Sequence, residues 1–469
     1  MKTKQIFTVL TILSGLLFAS IGHAAAITAT NSGNWSDTNI WNSGTVPGST
    51  DVVFIALGVN VTVDTNASAF SISDDTTGGT VTMAANSTLT IFGNDATHNL
   101  TTLNTTAAGN TVIYAGNPFF AKQCNYYNLV FANTNYVDPY PPYYPYQNFN
   151  NFSSSQGPTP MTVAGNMTVI GYTKMQQGSA GADIFIGGNL IIGTNCIWDS
   201  SGANLTVVSN VFIGGLLEDL NGALGSNYFG GNVTVNPSAT GGWNVSDVTQ
   251  WAIGGSLTNN GPIFGVGYGS ISFDGTGIIT GSKPITIPTM TVNGTYTIGT
   301  TITLATNTPT LNGTLVFDVA NPQQIILPAY VGTSLYYSGT LNVINSGAPP
   351  VSGNSYQFFN APSYGGSFAS TSFPSLPSGL GWVDNLATSG SIAVTNTSAG
   401  SPIITLSRSG NLLTLSWDST TFPDYSFQAQ TNSGGIGTNW SGTGSGTVSP
   451  FTVTINPTNP PVFFRLFKP

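Results

Sequence analysis

The chain has 469 residues, 57 of them Gly, with 40% apolar and only 5% charged residues and a formal net charge of −9. That apolar content is too high for wholesale disorder, and a chain with no basic stripe to displace counterions from phosphates is not built to bind nucleic acid. Beyond residue 26 it holds one histidine, His98, and two cysteines, and it carries neither G-x-S-x-G nor H-E-x-x-H.

The chain opens on a basic "MKTK", an apolar "IFTVLTILSGLLFASIG" and a small-residue "GHAAA". This pattern predicts a signal peptide over residues 1–26, with cleavage after Ala24 or Ala26. No later run is long and apolar enough to span a bilayer, so no transmembrane segment is expected in the mature chain. The expected location is therefore the cell surface or the extracellular medium.

From residue 27 the informative signal is a repeat. Aligning "GNMTVIG", "GNLIIG", "SNVFIGG", "GNVTVN" and "GGSLTNN" places Asn166, Asn189, Asn210, Asn232 and Ser256 in one column, spaced by 23, 21, 22 and 24 residues. In the four Asn units the residues one and three places later are apolar, from Met167 and Val169 to Val233 and Val235. Such alternation points side chains to one side of a strand. Short strands repeated every ~22 residues with the same side inward are what a parallel β-helix requires.

The fold class expected is thus all-β, a right-handed parallel β-helix over residues 27–395. The Asn column reads either as a side-chain amide ladder at a corner or as a set of left-handed turn positions, which Asn tolerates. Upstream, Asn60, Asn86, Asn110 and Asn128 extend the same column.

Asn128 and Asn166 are 38 residues apart, where one rung needs about 22. The surplus contains "YVDPYPPYYPYQNF" and predicts a Tyr/Pro-rich side loop at about 136–158, kept out of the strand ladder by its prolines. Tyr140, Tyr143, Tyr144 and Tyr146 are candidate ligand-binding residues, because flat rings with hydroxyl handles stack on sugars or partner surfaces. The alternative is a Pro-rich excursion with no ligand.

Paired carboxylates are the main route to catalysis left open, since glycosidases set two of them across the scissile bond. The pairs available are Asp183 with Asp199, Glu218 with Asp219, and Asp74 with Asp75. Lys174 near Asp183 is the one loose match to a lyase base beside acidic groups. Against this stands the reading of scattered loop acids that keep a nearly uncharged surface soluble. His98, in "GNDATHNLTT", reads as a loop histidine, and Cys124 and Cys196 as either a disulfide or two buried structural thiols.

Residues 396–400 read as a linker, and 401–469 as four to six short strands separated by Gly, Pro and Asn turns, suiting a small antiparallel β-sandwich. Such a module would cap the open strand edge of a solenoid or attach it to a surface.

Several stretches resemble known proteins. "GNWSDTNIWNSGTVPGSTDVVFIALGVNVTVD" resembles the opening of exported bacterial β-helix proteins and, more weakly, of a glycine-rich module on hyaluronidase-like extracellular proteins. "NTVIYAGNPFFAKQCNYYNLVFANTN" and "FDGTGIITGSKPITIPTMTVNGTYTIG" are similar to rungs of the autotransporter-associated β-strand class. The stretch from "GTLNVINSG" to "SIAVTN" resembles the closing segment of such repeats, and the last 69 residues resemble a small C-terminal module of exported proteins. No segment reads as the roughly dozen alternating strands of an autotransporter barrel.

The resemblance implies a structural or adhesive surface protein, with extracellular polysaccharide or cell-surface components as partners and no cofactor. The alternatives are a polysaccharide-processing hydrolase or lyase and a non-catalytic carbohydrate-binding protein.

Overall fold

The computed structural model describes residues 25–75, 78–93, 100–116, 121–133, 160–177, 182–219, 225–236, 241–246, 248–304, 309–327, 334–397, 401–442 and 449–468, and the backbone of 149–152. The chain divides into two units, one comprising residues up to 344 with 357–372 and 387–390, the other 345–356, 373–386 and 391–469.

The first unit is a parallel β-solenoid of about 12 turns. One turn shows how the sequence builds it. Met167–Gly171, Lys174–Gln177 and Ile184–Ile186 are successive short strands, and Leu190–Ile192 begins the next turn directly beside the first, with Met167 opposite Leu190. Each strand turns alternate residues inward, so Met167, Val169, Met175, Ile184 and Ile186 are all buried. Burying each such side chain is worth roughly 1.5–3 kcal/mol. An isolated turn would leave its backbone edges unpaired; stacking satisfies them.

The turns stack into three principal sheets of 14, 10 and 7 strands. Smaller parallel sheets continue two of these faces. Bridges at Thr105, Tyr126 and Val163 join a four-stranded sheet to the ten-stranded one, and a bridge from Ile285 to Leu304 extends the seven-stranded one.

The Asn column is a ladder. Asn128 Oδ1 accepts the Asn166 N–H at 2.9 Å, Asn166 Oδ1 that of Asn189 at 2.8 Å, Asn189 Oδ1 that of Asn210 at 3.0 Å, and Asn210 Oδ1 that of Asn232 at 2.9 Å. Asn232 Oδ1 then accepts from Ser256 N–H at 2.8 Å, and Ser256 Oγ from Ile278 N–H at 3.0 Å. None of these column residues has a positive φ, so the turn alternative does not apply to them. The side chains supply backbone acceptors at a corner where the strand ladder is interrupted.

Asn189→Ala deletes the acceptor for Asn210 N–H and should lower unfolding free energy by about 1 kcal/mol. Urea denaturation of the variant measures it, and an unchanged midpoint would contradict the ladder.

Corners also explain the Gly pairs. A Cβ at Gly231 would lie 2.5 Å from Ser209 O, and one at Gly255 2.5 Å from Gly231 O, so stacked corners approach too closely for any side chain there.

The upstream extension of the column is corrected. The pairing aligns Asn128 with Thr111, Thr88 and Asn66, so Asn66 occupies the column position. Asn60 instead opens Asn60–Val63 on another sheet, Asn86 sits in a left-handed turn at φ 58°, and Asn110 precedes its strand by one residue. Asn suits every kind of corner, and its recurrence alone does not establish register.

Two boundaries also differ from expectation. Within the predicted side loop, Phe149–Phe152 is a strand of the seven-stranded sheet, paired with Lys174–Gln177. Residues 134–148, including Tyr140, Tyr143, Tyr144 and Tyr146, lie outside the described residues, as does His98. Parallel pairing reaches Ser370–Ser372, whereas Leu380–Asn385 and Ser391–Asn396 pair antiparallel in the second unit.

The C-terminal module, in the second unit, has two three-stranded antiparallel sheets. One contains 405–409, 412–416 and 451–454; the other contains 441–442, 426–431 and 462–467. They share a core of Leu415, Trp417 and Phe427, with Trp417 meeting Phe427 edge-on at 4.8 Å. This agrees with the sandwich expected from the turn-punctuated sequence.

Cys124 and Cys196 are free thiols. Cys196 Sγ donates to Gly171 O at 3.4 Å, while Cys124 faces Thr105 Oγ1 at 3.9 Å; each is held at its own corner, so the disulfide alternative is not realised. Burial pushes the Cys124 thiol up to about 11, which leaves it a poor nucleophile.

Candidate functional site

The seven-stranded sheet gathers the densest set of charged groups among the described residues. Lys174–Gln177, Ile197–Asp199, Leu216–Glu218 and Gly242–Asn244 lie side by side in register. Inward, the middle positions Met175, Trp198, Leu217 and Trp243 stack through the core. Outward, the third positions bring Gln176, Asp199, Glu218 and Asn244 into one file.

Lys174 Nζ reaches Asp199 Oδ2 at 3.5 Å. Asp199 Oδ1 accepts the Ser201 N–H at 3.0 Å, and Gln176 Nε2 donates to Ser201 Oγ at 3.0 Å. Ser201 takes a left-handed φ of 48°, a conformation this network holds in place. On the next turn Asp219 Oδ1 accepts Gly202 N–H at 2.8 Å. The acids therefore pin the turn at 199–204 from both sides.

Burial decides what such a cluster can do. Asp199 is 1% and Glu218, the chain's only glutamate, 6% exposed. Glu218 is pushed up to about 7, first by burial and then by the Asp199 charge, while Lys174 and a hydrogen bond with Asn244 oppose the rise. A carboxyl raised in this way binds more protons folded than unfolded between its ordinary value near 4.5 and 7. The Glu218 contribution to stability should accordingly be full below the lower value and fall as pH rises through that window. Chemical denaturation at stepped pH should show this decline in the wild type and a shallower one in Glu218→Gln.

Asp199 and Glu218 are cross-strand neighbours, their backbones one strand spacing, about 4.8 Å, apart. Retaining glycosidases set two carboxyl groups roughly 5–5.5 Å apart across the scissile bond. The Asp199–Glu218 pair is nonetheless buried, and both Asp199 oxygens are engaged, Oδ1 by Ser201 N–H and Oδ2 by Lys174.

The pairing expected from the sequence is therefore rearranged. Asp183 belongs to the ten-stranded sheet, where it accepts Asn204 N–H at 2.9 Å, and does not meet Asp199. Lys174 pairs with Asp199 instead of Asp183. Glu218 faces Asp199 and Asn244, whereas its neighbour Asp219 turns to Gly202. Asp74 caps Gly78 and Thr101 N–H groups.

A signal for the file exists in hindsight, since "KMQ", "IWD", "LLE" and "GWN" each carry a buried middle residue and a polar third one. Among the described residues no group of three or more His, Cys, Asp or Glu is arranged to hold a metal ion. No family model, curated protein or solved structure matches the chain.

Proposed function

We propose that this chain is an exported surface solenoid of the autotransporter-associated kind, whose work is structural and adhesive, with polysaccharide as the contacted material. The observation that carries the non-catalytic part is the use made of the carboxylates. Asp64, Asp74, Asp183, Asp199, Asp219 and Asp418 all accept backbone N–H groups of turns. Acids spent on closing turns are not available as acid and base toward a substrate. Export is supported by the basic, apolar and small-residue pattern of residues 1–26.

The juxtaposition of Asp199 with a Glu218 raised to about 7 favours a second reading, a glycoside hydrolase. Incubating the protein with a polysaccharide panel and measuring both retention and reducing-end release separates the two. The adhesive reading expects retention without release, in wild type and Glu218→Gln alike. Release that disappears in Glu218→Gln would establish the hydrolase instead.

A further inference from the structure

A second organised feature lies on the ten-stranded sheet. Ile184–Ile186, Leu205–Val207 and Ser226–Phe229 run side by side, so Phe185, Thr206 and Tyr228 form one outward file. Two positions earlier on each strand, Asp183, Asn204 and Ser226 form a second file. It is fixed by Asn204 N–H donating to Asp183 Oδ1 at 2.9 Å, Asn204 Nδ2 to Asp183 Oδ2 at 3.2 Å, and Ser226 N–H to Asn204 Oδ1 at 2.8 Å. A recess of about 470 Å³ lies over these strands, lined by Asp183, Asn204 and Ser226 of the polar file and Phe185 and Thr206 of the ring file, with Tyr228 next in that file beyond its lining.

Phe185 is half-buried and Tyr228 is 45% exposed, the Tyr228 ring lying beside the corner glycines Gly230 and Gly254. Two strand spacings separate them, about 9.5 Å, with the small Thr206 between. Sugar rings pack their C–H faces on aromatic rings and meet amide, carboxylate and hydroxyl groups with their own hydroxyls. Here the ring file and the polar file run parallel, as an extended glycan requires. The one charged group lining the recess is Asp183, a carboxylate, which disfavours an anionic polymer. Ala252, Ser272 and Thr291 continue the ring file with small side chains.

We propose that this face is a binding track for a neutral polysaccharide chain lying along the stacking direction of the turns, with Phe185 and Tyr228 as stacking platforms. It rests on the adhesive reading above and names the surface and the class of polymer.

The test is calorimetric titration of the whole chain with β-glucan and with neutral oligosaccharides graded from disaccharide to hexasaccharide. Affinity should climb with length until the oligosaccharide spans both rings. Phe185→Ala and Tyr228→Ala should each weaken binding about tenfold, and the double variant should abolish it. Both side chains point outward, so circular dichroism and thermal unfolding should stay as in wild type.

Tighter binding of polygalacturonate, affinity independent of length, or undiminished binding by the double variant would each overturn the track. In the last case the protein still binds polysaccharide and the adhesive reading survives. A wild-type chain that binds neither polysaccharide nor cell surfaces would end both.

Discussion

Trp243→Ala should destabilise the solenoid by about 3–5 kcal/mol. Trp243 is fully buried, and its ring lies 5.4 Å from Trp251 in an edge-on arrangement and 5.8 Å from Phe229. Phe229 and Trp251 are themselves 5.4 Å apart, so three large rings from two faces fill the interior together. Truncating one removes transfer free energy and leaves a void that rings on neighbouring strands cannot close.

Trp243→Phe should cost much less, about 1 kcal/mol, because the Trp243 indole N–H has no hydrogen-bond partner to lose. Equilibrium urea unfolding reads both values. A midpoint for Trp243→Ala close to that of Trp243→Phe would show that the three rings do not pack as one unit.

Lys174→Met should cost about 3–5 kcal/mol, for a different reason. The Asp199 side chain is 2% and that of Lys174 15% exposed, so the variant strands an ionised carboxylate out of water without its cation. The double variant Lys174→Met/Asp199→Leu should recover much of the loss, since an apolar pair of similar volume carries no buried charge. A double-mutant cycle isolates the coupling. If Lys174→Met alone is neutral, the ion pair is a solvent-screened surface contact and the turn at 199–204 is held by its hydrogen bonds only.

The legibility of the chain differs between its corners. From Asn166 onward the Asn ladder is readable because its spacings stay within 21 to 24 residues and each Asn is followed by the same inward alternation. On the seven-stranded sheet the aligned residues Gln176, Asp199 and Glu218 are separated by 23 and then 19 positions. Uneven turns before and after these strands absorb the difference, and the acids fall out of any fixed-period alignment. Asp183 and Asp199, sixteen positions apart in sequence, were thereby placed together when they occupy different sheets.

The same limit applied upstream, where Asn60 and Asn86 looked like column members. Asn is equally at home in a left-handed turn or at a strand start, and only the hydrogen-bond pairing distinguishes these.

By itself the sequence determined the all-β class, the parallel stacking and the inward residues, because strand alternation is a local steric property and a rung-length repeat leaves few ways to bury it. It also determined the antiparallel C-terminal module, through its closely spaced turn residues. Only the tertiary structure decided which polar side chains share a face, that Lys174 serves Asp199, that Glu218 is lifted toward neutrality, and that Phe185 and Tyr228 lie in one file. Those relations join residues one or more turns apart, and their register depends on the summed length of every intervening corner, which no local pattern records.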